Sequence, residues 1–437
     1  MCYIQNAIKY RNDHYAPLLS WVLTSFNNAG YDIFECFKIV NAFLLPAIAI
    51  LASILTMQST RSYAWSILTA FFVVTNPGII SIFSMLWSEP IFLVLIFSGI
   101  YALIRYFDNK QLIYLLVSAL MMGAALLTRY AAIPFILTSI YLVSKQKYQN
   151  KIPTEFLLFT LIAAIIPLTI LISIKPPFND TTRELAFHVI SLSHIKYAII
   201  TLSNWLIPAL LSDRIKIALS VLITIVFLKT VFKEKNVKEN ISPVSHALIS
   251  FGITYILFLI AAISFFDYYI ALDSRILSPI YIIAVILTLS HPRTQIFIKK
   301  YLIIIIVLTL ITALYTVIDI RINGQWCNGR RWIESPLIER MKSIPEKTTI
   351  YSNKPDIIYA CTKRQANMLP RKYNPYSQKI NTDYLKELKE IGEKNNIRIV
   401  YFTIEPREYI ISEQELIDNI SIHIEETTKD GKIYSIK

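Results

Sequence analysis

A few short stretches of this chain combine residue types able to move a group between an anion and a hydroxyl. Asp13-His14-Tyr15-Ala16-Pro17 carries a carboxylate and an imidazole, either of which can take a proton from a hydroxyl, followed by a proline that opens a short amphipathic run. The alternative reading is an exposed polar loop. Glu89 stands in Trp87-Ser88-Glu89-Pro90 at the start of an apolar run. It is either a first-turn acid favoured by the helix dipole, with proline beside it, or a carboxylate bordering a cavity. Arg129 occupies a tight corner, Leu126-Leu127-Thr128-Arg129-Tyr130. An arginine there either snorkels to headgroups or, beside Tyr130, binds a phosphate or diphosphate. Asp273-Ser274-Arg275 follows Asp267-Tyr268-Tyr269. This i, i+2 pair either neutralises itself, or Arg275 binds an anion that Asp273 orients, with Tyr269 offering a face to a sugar.

Other polar residues carry less. His188 and His194 read as plain loop histidines, with a metal site shared with His14 as the alternative; no metal ligand is assigned. Lys175, Arg183 and Lys196 suit a lipid phosphate, and the two lysines equally suit headgroup anchoring. Of the four cysteines, none has metal-ligand spacing; Cys327 and Cys361 both fall in the C-terminal domain and can pair only if its compartment is oxidising.

These residues are set in a greasy chain. Of 437 residues 54% are hydrophobic and only 17% charged, with 9 glycines, which is unlike a soluble domain. Apolar runs of spanning length recur at 34–56, 62–75, 90–104, 112–127, 131–143, 156–174, 215–228, 248–265, 276–289 and 301–318. The expected fold is mainly α: a polytopic transmembrane bundle of about ten helices. The net charge of +13 comes from lysines in short loops, which argues against nucleic acid as a partner. Met1–Asp13 is polar and has no signal-like apolar core.

The basic loops around Arg61, Arg105, Lys110, Lys145, Lys233 and Lys299 alternate with loops poor in lysine, which orients the former to the cytoplasm. The N-terminus, Asn76–Glu89, the Arg129 corner, Lys175–Asp213, Asp267–Arg275 and the tail then face outward. An outward N-terminus with no helix before it either crosses unaided or comes after a first helix encoded upstream; we favour the second. Domain boundaries are expected at 1–318 for the membrane unit and 319–437 for a small extracytoplasmic α/β domain. Its expected strands are Thr348–Ser352 and Ile397–Ile404. Its expected helices are Thr382–Lys394, capped by Asn381 or Thr382, and Ser412–Asn419. A hairpin is expected about Asp430-Gly431.

Together, His14-Tyr15-Ala16-Pro17-Leu18, Ser88-Glu89-Pro90, Leu127-Thr128-Arg129-Tyr130 and Asp273-Ser274-Arg275-Ile276-Leu277-Ser278-Pro279 resemble, in order and outward placement, the GT-C class of membrane glycosyltransferases, such as protein O-mannosyltransferases and lipid A aminoarabinose transferases. The resemblance covers Met1 to about Ile318. It implies an inverting transfer of a sugar from a polyprenyl-phosphate donor to a hydroxyl acceptor on a lipid, glycan or protein. Arg129 and Arg275 would hold the phosphate, and Glu89 would line the pocket. No cofactor is assigned beyond a possible divalent cation. The departures are that the family's aspartate precedes the proline signature by more chain than is present here, that Asp13 is its nearest substitute, and that Ala16 replaces a proline. Tyr3-Ile4-Gln5-Asn6-Ala7 resembles the family's residues just downstream of that aspartate. The rival readings are an inactive family-fold protein or truncated fragment, and a transporter, against which stands the absence of repeated halves. Reading the gene upstream of Met1 is expected to reveal an apolar segment and then an aspartate; an in-frame stop preceded by nothing similar would refute the truncation.

Overall fold

In a bilayer every backbone polar group must be satisfied within the protein, so apolar runs of this length fold as helices. The computed structural model describes residues 16–145, 154–174, 187–207, 211–233, 242–326 and 329–436. Asp13, His14, Lys175, Arg183 and Cys327 lie outside the described residues, as does any pairing of Cys327 with Cys361. Each of the ten expected segments is helical, the sixth through a π turn at Leu161–Ile165. By length and composition, five helices among the described residues are able to cross a membrane: Glu35–Thr60, Glu89–Asn109, Thr154–Ser173, Pro243–Phe265 and Pro292–Asn323. This is an integral membrane protein. Prolines recur in the first turn, at Pro77, Pro90, Pro134, Pro243 and Pro292, where a missing N–H costs nothing.

Burial ranks the spans. The most hydrophobic window of Glu89–Asn109 is 61% buried, against 11% for Pro292–Asn323, so the former is the central post and the latter faces lipid. Around the post, Phe92, Ile96 and Phe97 meet Met122, Phe135, Phe251 and Ile282 in one continuous core. Lysines at the far rim lie over aromatic rings, Lys110 on Tyr106, Lys145 on Tyr141 and Lys299 on Trp65, the amphipathic arrangement of a membrane–water boundary.

At the opposite rim the chain is less regular. Helix Tyr63–Thr75 breaks by 62° into the short helix Pro77–Phe83. Asn76 makes the corner, its side chain accepting from the Ile79 N–H at 3.1 Å. The break is a proline corner, not a glycine hinge. Asn41, buried in the preceding helix, donates to the carbonyls of Phe83 at 2.8 Å and Met85 at 3.1 Å, holding the chain that leads into Glu89. Gly78 packs so closely on the start of helix Ser274–Ser290 that an added Cβ would lie 2.8 Å from the Ser274 Cβ.

The segment expected as a long outward loop contains a helix, Leu192–Leu206. Its apolar residues Leu192, Ile195, Tyr197, Ile199 and Leu202 are exposed, the pattern of a helix lying in the membrane interface. Fifteen residues of interrupted apolar character are too short and too polar to register as a span.

The C-terminal unit is a five-stranded sheet in the order β2-β1-β3-β5-β4, with β1 Thr349–Ser352, β2 Asn367–Met368, β3 Ile397–Phe402, β4 Ile422–Thr428 and β5 Gly431–Ile436. β1 is parallel to β2 and β3, and β5 is antiparallel to β3 and β4. Central β3 is apolar on both faces: Val400 and Phe402 pack with Trp332, Leu337 and Ile358, whereas Ile399 and Tyr401 pack with Leu388, Leu416 and Tyr434. The helix expected from 382 spans Tyr384–Gly392. Its N-cap is Asp383, whose N–H donates to Asn381 Oδ1, so Asn381 makes the turn before the cap and is not the cap itself.

The contact at Gly78 sets where the Arg275 helix begins. Gly78→Val is expected to lower stability by about 1–3 kcal/mol through overpacking, and Ser274→Gly in the same chain to restore part of it. Thermal unfolding in nanodiscs checks this; equal stability of Gly78→Val and wild type would mean that the two segments are free to part.

Candidate functional site

Glu89 opens the central helix and its side chain is only 3% exposed. A carboxylate that deep needs counter-charge, and two arginines supply it to the same oxygen. Arg129 Nη1 lies 2.5 Å from Glu89 Oε1 and Arg275 Nε lies 3.3 Å from it. Arg129 Nη1 also donates to Ser88 Oγ at 3.1 Å, and that hydroxyl donates on to Glu89 Oε2 at 3.4 Å. Oε2 is thus hydrogen-bonded, while Oε1 is met by the two guanidinium charges without a hydrogen bond, and the carboxylate stands between the two arginines.

The Asp273/Arg275 pair does not close on itself. Asp273 caps its helix, accepting from the Ile276 N–H at 3.0 Å, and its other oxygen stands 4.0 Å from Arg275 Nε. Arg275 instead lies nearer to Glu89 and stacks over Trp87, 5.3 Å from guanidinium carbon to ring centre. Trp87 is itself braced edge-on by Trp326. Beneath, the buried Tyr255 donates its hydroxyl to the Ile276 carbonyl at 2.8 Å, fixing the first turn that carries Arg275. Among the described residues the two terminal nitrogens of Arg275 have no hydrogen-bond acceptor, and the side chain is 35% exposed. One edge of this guanidinium thus faces the Glu89 charge without a hydrogen bond from Nε, one face is stacked, and two donors are presented outward.

Arg129 sits in extended backbone before a single 3₁₀ turn, Tyr130–Ala132. The Leu18 N–H donates to the Leu127 carbonyl at 2.8 Å, and Ala16 and Pro17 are buried. The segment that directly follows Asp13 and His14 is thereby tethered to the Arg129 corner. Tyr130 is exposed. Tyr269 packs edge-on against Tyr409 of the C-terminal unit. Its phenol is pushed up by desolvation, reinforced by Tyr373 and Glu408.

His194 is not a loop histidine. It is the third residue of a capping box with Ser191, its Nδ1 accepting from the Ser191 N–H at 3.2 Å and its Nε2 lying 2.7 Å from the Tyr268 carbonyl. Nε2 must carry the proton to bond a carbonyl, so His194 has no lone pair left for a metal ion. Among the described residues no group of three or more His, Cys, Asp or Glu side chains is placed to hold a metal. Trp87, Ser88 and Tyr255 were missed as site residues. The Trp87-Ser88-Glu89-Pro90 stretch was visible, but nothing in it disclosed that its tryptophan stacks on an arginine nearly two hundred positions away.

No family model matches this chain, and no curated protein does. Among solved structures, the chain is similar to ArnT from Cupriavidus metallidurans bound to undecaprenyl phosphate, with a TM-score of 0.47 and 10% identity over 96% of this chain and 87% of that one. The same protein in its apo state gives a TM-score of 0.43 and 9% identity over the same shares.

Removing the carboxylate alone leaves two guanidinium groups facing each other. Glu89→Ala is expected to destabilise by about 3–5 kcal/mol, toward the lower end because both arginines reach solvent. The double variant Glu89→Ala/Arg129→Ala should cost less than the sum of the singles by roughly 1–3 kcal/mol. A double-mutant cycle by equilibrium unfolding in detergent measures this; additive losses would dissolve the triad into unrelated contacts.

Proposed function

We propose that this chain is a membrane glycosyltransferase of the GT-C type, with 1–318 as its membrane domain and 319–437 as an extracytoplasmic domain. It moves a sugar from a polyprenyl-phosphate donor to a hydroxyl acceptor at the outer face of a bacterial plasma membrane, with inversion. The observation that carries the reading is Arg275: a guanidinium drawn toward the Glu89 charge, stacked on Trp87, and left with two donors at the rim of an apolar bundle. That is the geometry suited to two oxygens of a phosphate whose lipid tail lies in the bilayer. Outward sidedness is supported by the lysine-rich loops at the other rim.

In this mechanism the acceptor hydroxyl oxygen attacks the anomeric carbon from the face opposite the phosphate. The new C–O bond forms as the bond from the anomeric carbon to the phosphate oxygen breaks. The hydroxyl proton passes to Asp13 or His14, the base candidates that the sequence places just before Ala16. The negative charge gained by the departing phosphate is met by Arg275 and Arg129. Glu89 positions the two arginines and takes no proton. Asp273 fixes the helix start beneath the phosphate, and Tyr130 and Tyr269 border the path of the sugar. A polyprenyl phosphate is a good leaving group, so a base, charge stabilisation and exclusion of water suffice.

Binding of undecaprenyl phosphate to the purified chain in nanodiscs tests this reading. Arg275→Ala should weaken it by on the order of 10- to 100-fold, the worth of one or two charged hydrogen bonds. Arg275→Lys should recover only part, since it keeps the charge without the fork. Wild-type affinity in Arg275→Ala, or no binding by the wild type, would sink the proposal.

A further inference from the structure

The C-terminal unit has a charge cluster of its own, remote in sequence from the residues assigned above, at the sheet edge where folds of this kind form a crevice. The chain runs from β1 through helix Pro355–Thr362 to β2 on one side, then through helix Tyr384–Gly392 to β3 on the other. The connections therefore diverge at the carboxyl ends of adjacent parallel strands β1 and β3, the position at which open α/β sheets take ligands. Asn353 pins the two ends together, donating to the Phe402 carbonyl at 2.7 Å and accepting from the Phe402 N–H at 2.9 Å.

The next residue, Lys354, is 5% exposed. Burying an ammonium is costly unless its charge and donors are met. Its nearest carboxylate oxygen, Glu405 Oε2, stands 4.0 Å away, and Glu405 is already held by both terminal nitrogens of Arg331, at 2.5 and 3.0 Å. Its other neighbour is the Trp332 ring, 5.0 Å away. Among the described residues the Lys354 ammonium donates no hydrogen bond. Desolvation, with Arg407 close by, holds its basicity below that of an ordinary lysine. Arg407 grips Asp356 at 2.7 and 2.8 Å. Three cations thus meet two carboxylates, and the deepest cation is the one without an acceptor.

We propose that this crevice is an anion site, taking a phosphate-class group with Lys354 as its floor and Arg407 and Arg331 as its rim. The anion would supply the acceptor that Lys354 lacks and would bring the cluster to neutrality. The same helix, one turn on, sets Tyr359 against Leu19 and Leu23 of the membrane unit, and two residues past Arg407, Tyr409 meets Tyr269. The crevice therefore borders the junction of the two units, where a phosphate reaches it either on a soluble sugar or on a lipid headgroup. The proposal does not depend on the glycosyltransferase reading.

The test uses the full chain carrying Arg275→Ala, so that the outward-facing membrane-side arginine is removed and the remaining Arg129 contributes equally to every variant compared. In phosphatidylcholine nanodiscs, inorganic phosphate and glucose 6-phosphate are titrated at constant ionic strength set with sodium chloride, and binding is followed by the rise in Tm and by ³¹P line broadening. A parallel arm replaces part of the phosphatidylcholine with phosphatidylglycerol. Adding Lys354→Met should raise the dissociation constant on the order of tenfold or more, as expected for losing a charged hydrogen bond, while leaving the ligand-free Tm at or above the parent value. Lys354→Gln is the second variant should the methionine fail to fold. A response to soluble phosphates assigns a soluble ligand, and one confined to phosphatidylglycerol assigns a headgroup. Absence of any response above the chloride control, or an unchanged response after Lys354 is replaced, would overturn the proposal.

Discussion

A carboxylate buried at the head of the most enclosed helix is the constraint to which the rest of this molecule conforms. Glu89 cannot be solvated by the apolar core around Phe92 and Ile96, so counter-charge must be brought to it. One arginine comes from the extended corner after Leu112–Leu126 and the other from the first turn of Ser274–Ser290, and both approach one oxygen, while Ser88 engages the other. The dipole of the helix that Glu89 opens adds to the same end. This arrangement gives both partly exposed arginines a counter-charge at their inner ends. Arg275 is also stacked against Trp87. Preorganised cations of this kind need no reordering when a ligand's charge arrives.

The irregular rim is possible because side chains take over the hydrogen bonds that a continuous helix would have made. Asn41, Asn76, Asp273 and Tyr255 each bond a backbone group at this rim: the Phe83 carbonyl, the Ile79 N–H, the Ile276 N–H and the Ile276 carbonyl. Gln325 exchanges hydrogen bonds with Ser81 and Ser84, joining the short helix to the end of the last span. That span is 32 residues long, roughly 48 Å at 1.5 Å per residue, well beyond the ~30 Å hydrocarbon thickness. Such length requires tilt or an end that projects beyond the hydrocarbon, and the α/β unit follows directly on its C-terminal end.

The distribution of what sequence reasoning recovered reflects the range of the forces involved. Spans and strands are local: runs such as Leu112–Leu126 or Ile397–Phe402 declare themselves by composition, and Pro90 or Ser412 by the chemistry of a first turn. The contact of Glu89 with Arg129 joins residues forty apart and was legible only as two ionisable groups at the same predicted rim. Spacing left two readings open at Asp273 and Arg275, a self-neutralising pair or an anion site; the capping carboxylate turns toward its own backbone and keeps only a 4.0 Å contact with an arginine that lies nearer Glu89. His194 misled, since a histidine in a polar stretch gives no sign that both its nitrogens will be satisfied by Ser191 and Tyr268. The helix Leu192–Leu206 escaped because an interfacial helix lacks the continuous apolar length that marks a span.

The loops after the parallel strands of the C-terminal sheet are also those that meet the membrane unit. After β1 comes Tyr359 against Leu19 and Leu23, after β2 comes Tyr376, whose carbonyl accepts from the Tyr268 N–H at 3.1 Å, and after β3 comes Tyr409 against Tyr269. Parallel strands place all such loops at one edge, and that edge is where α/β sheets bind ligands. Here it abuts the loop running from Asp267 to Asp273, directly before Arg275, while His194 fixes Tyr268 from the other side. A shift of the α/β unit would therefore pull on the residues that begin the Arg275 helix. On the proposed reading, a ligand engaged in the crevice beside Lys354 and a phosphate engaged by Arg275 would act on the same short loop from its two ends, which gives two binding events a physical route by which to influence one another.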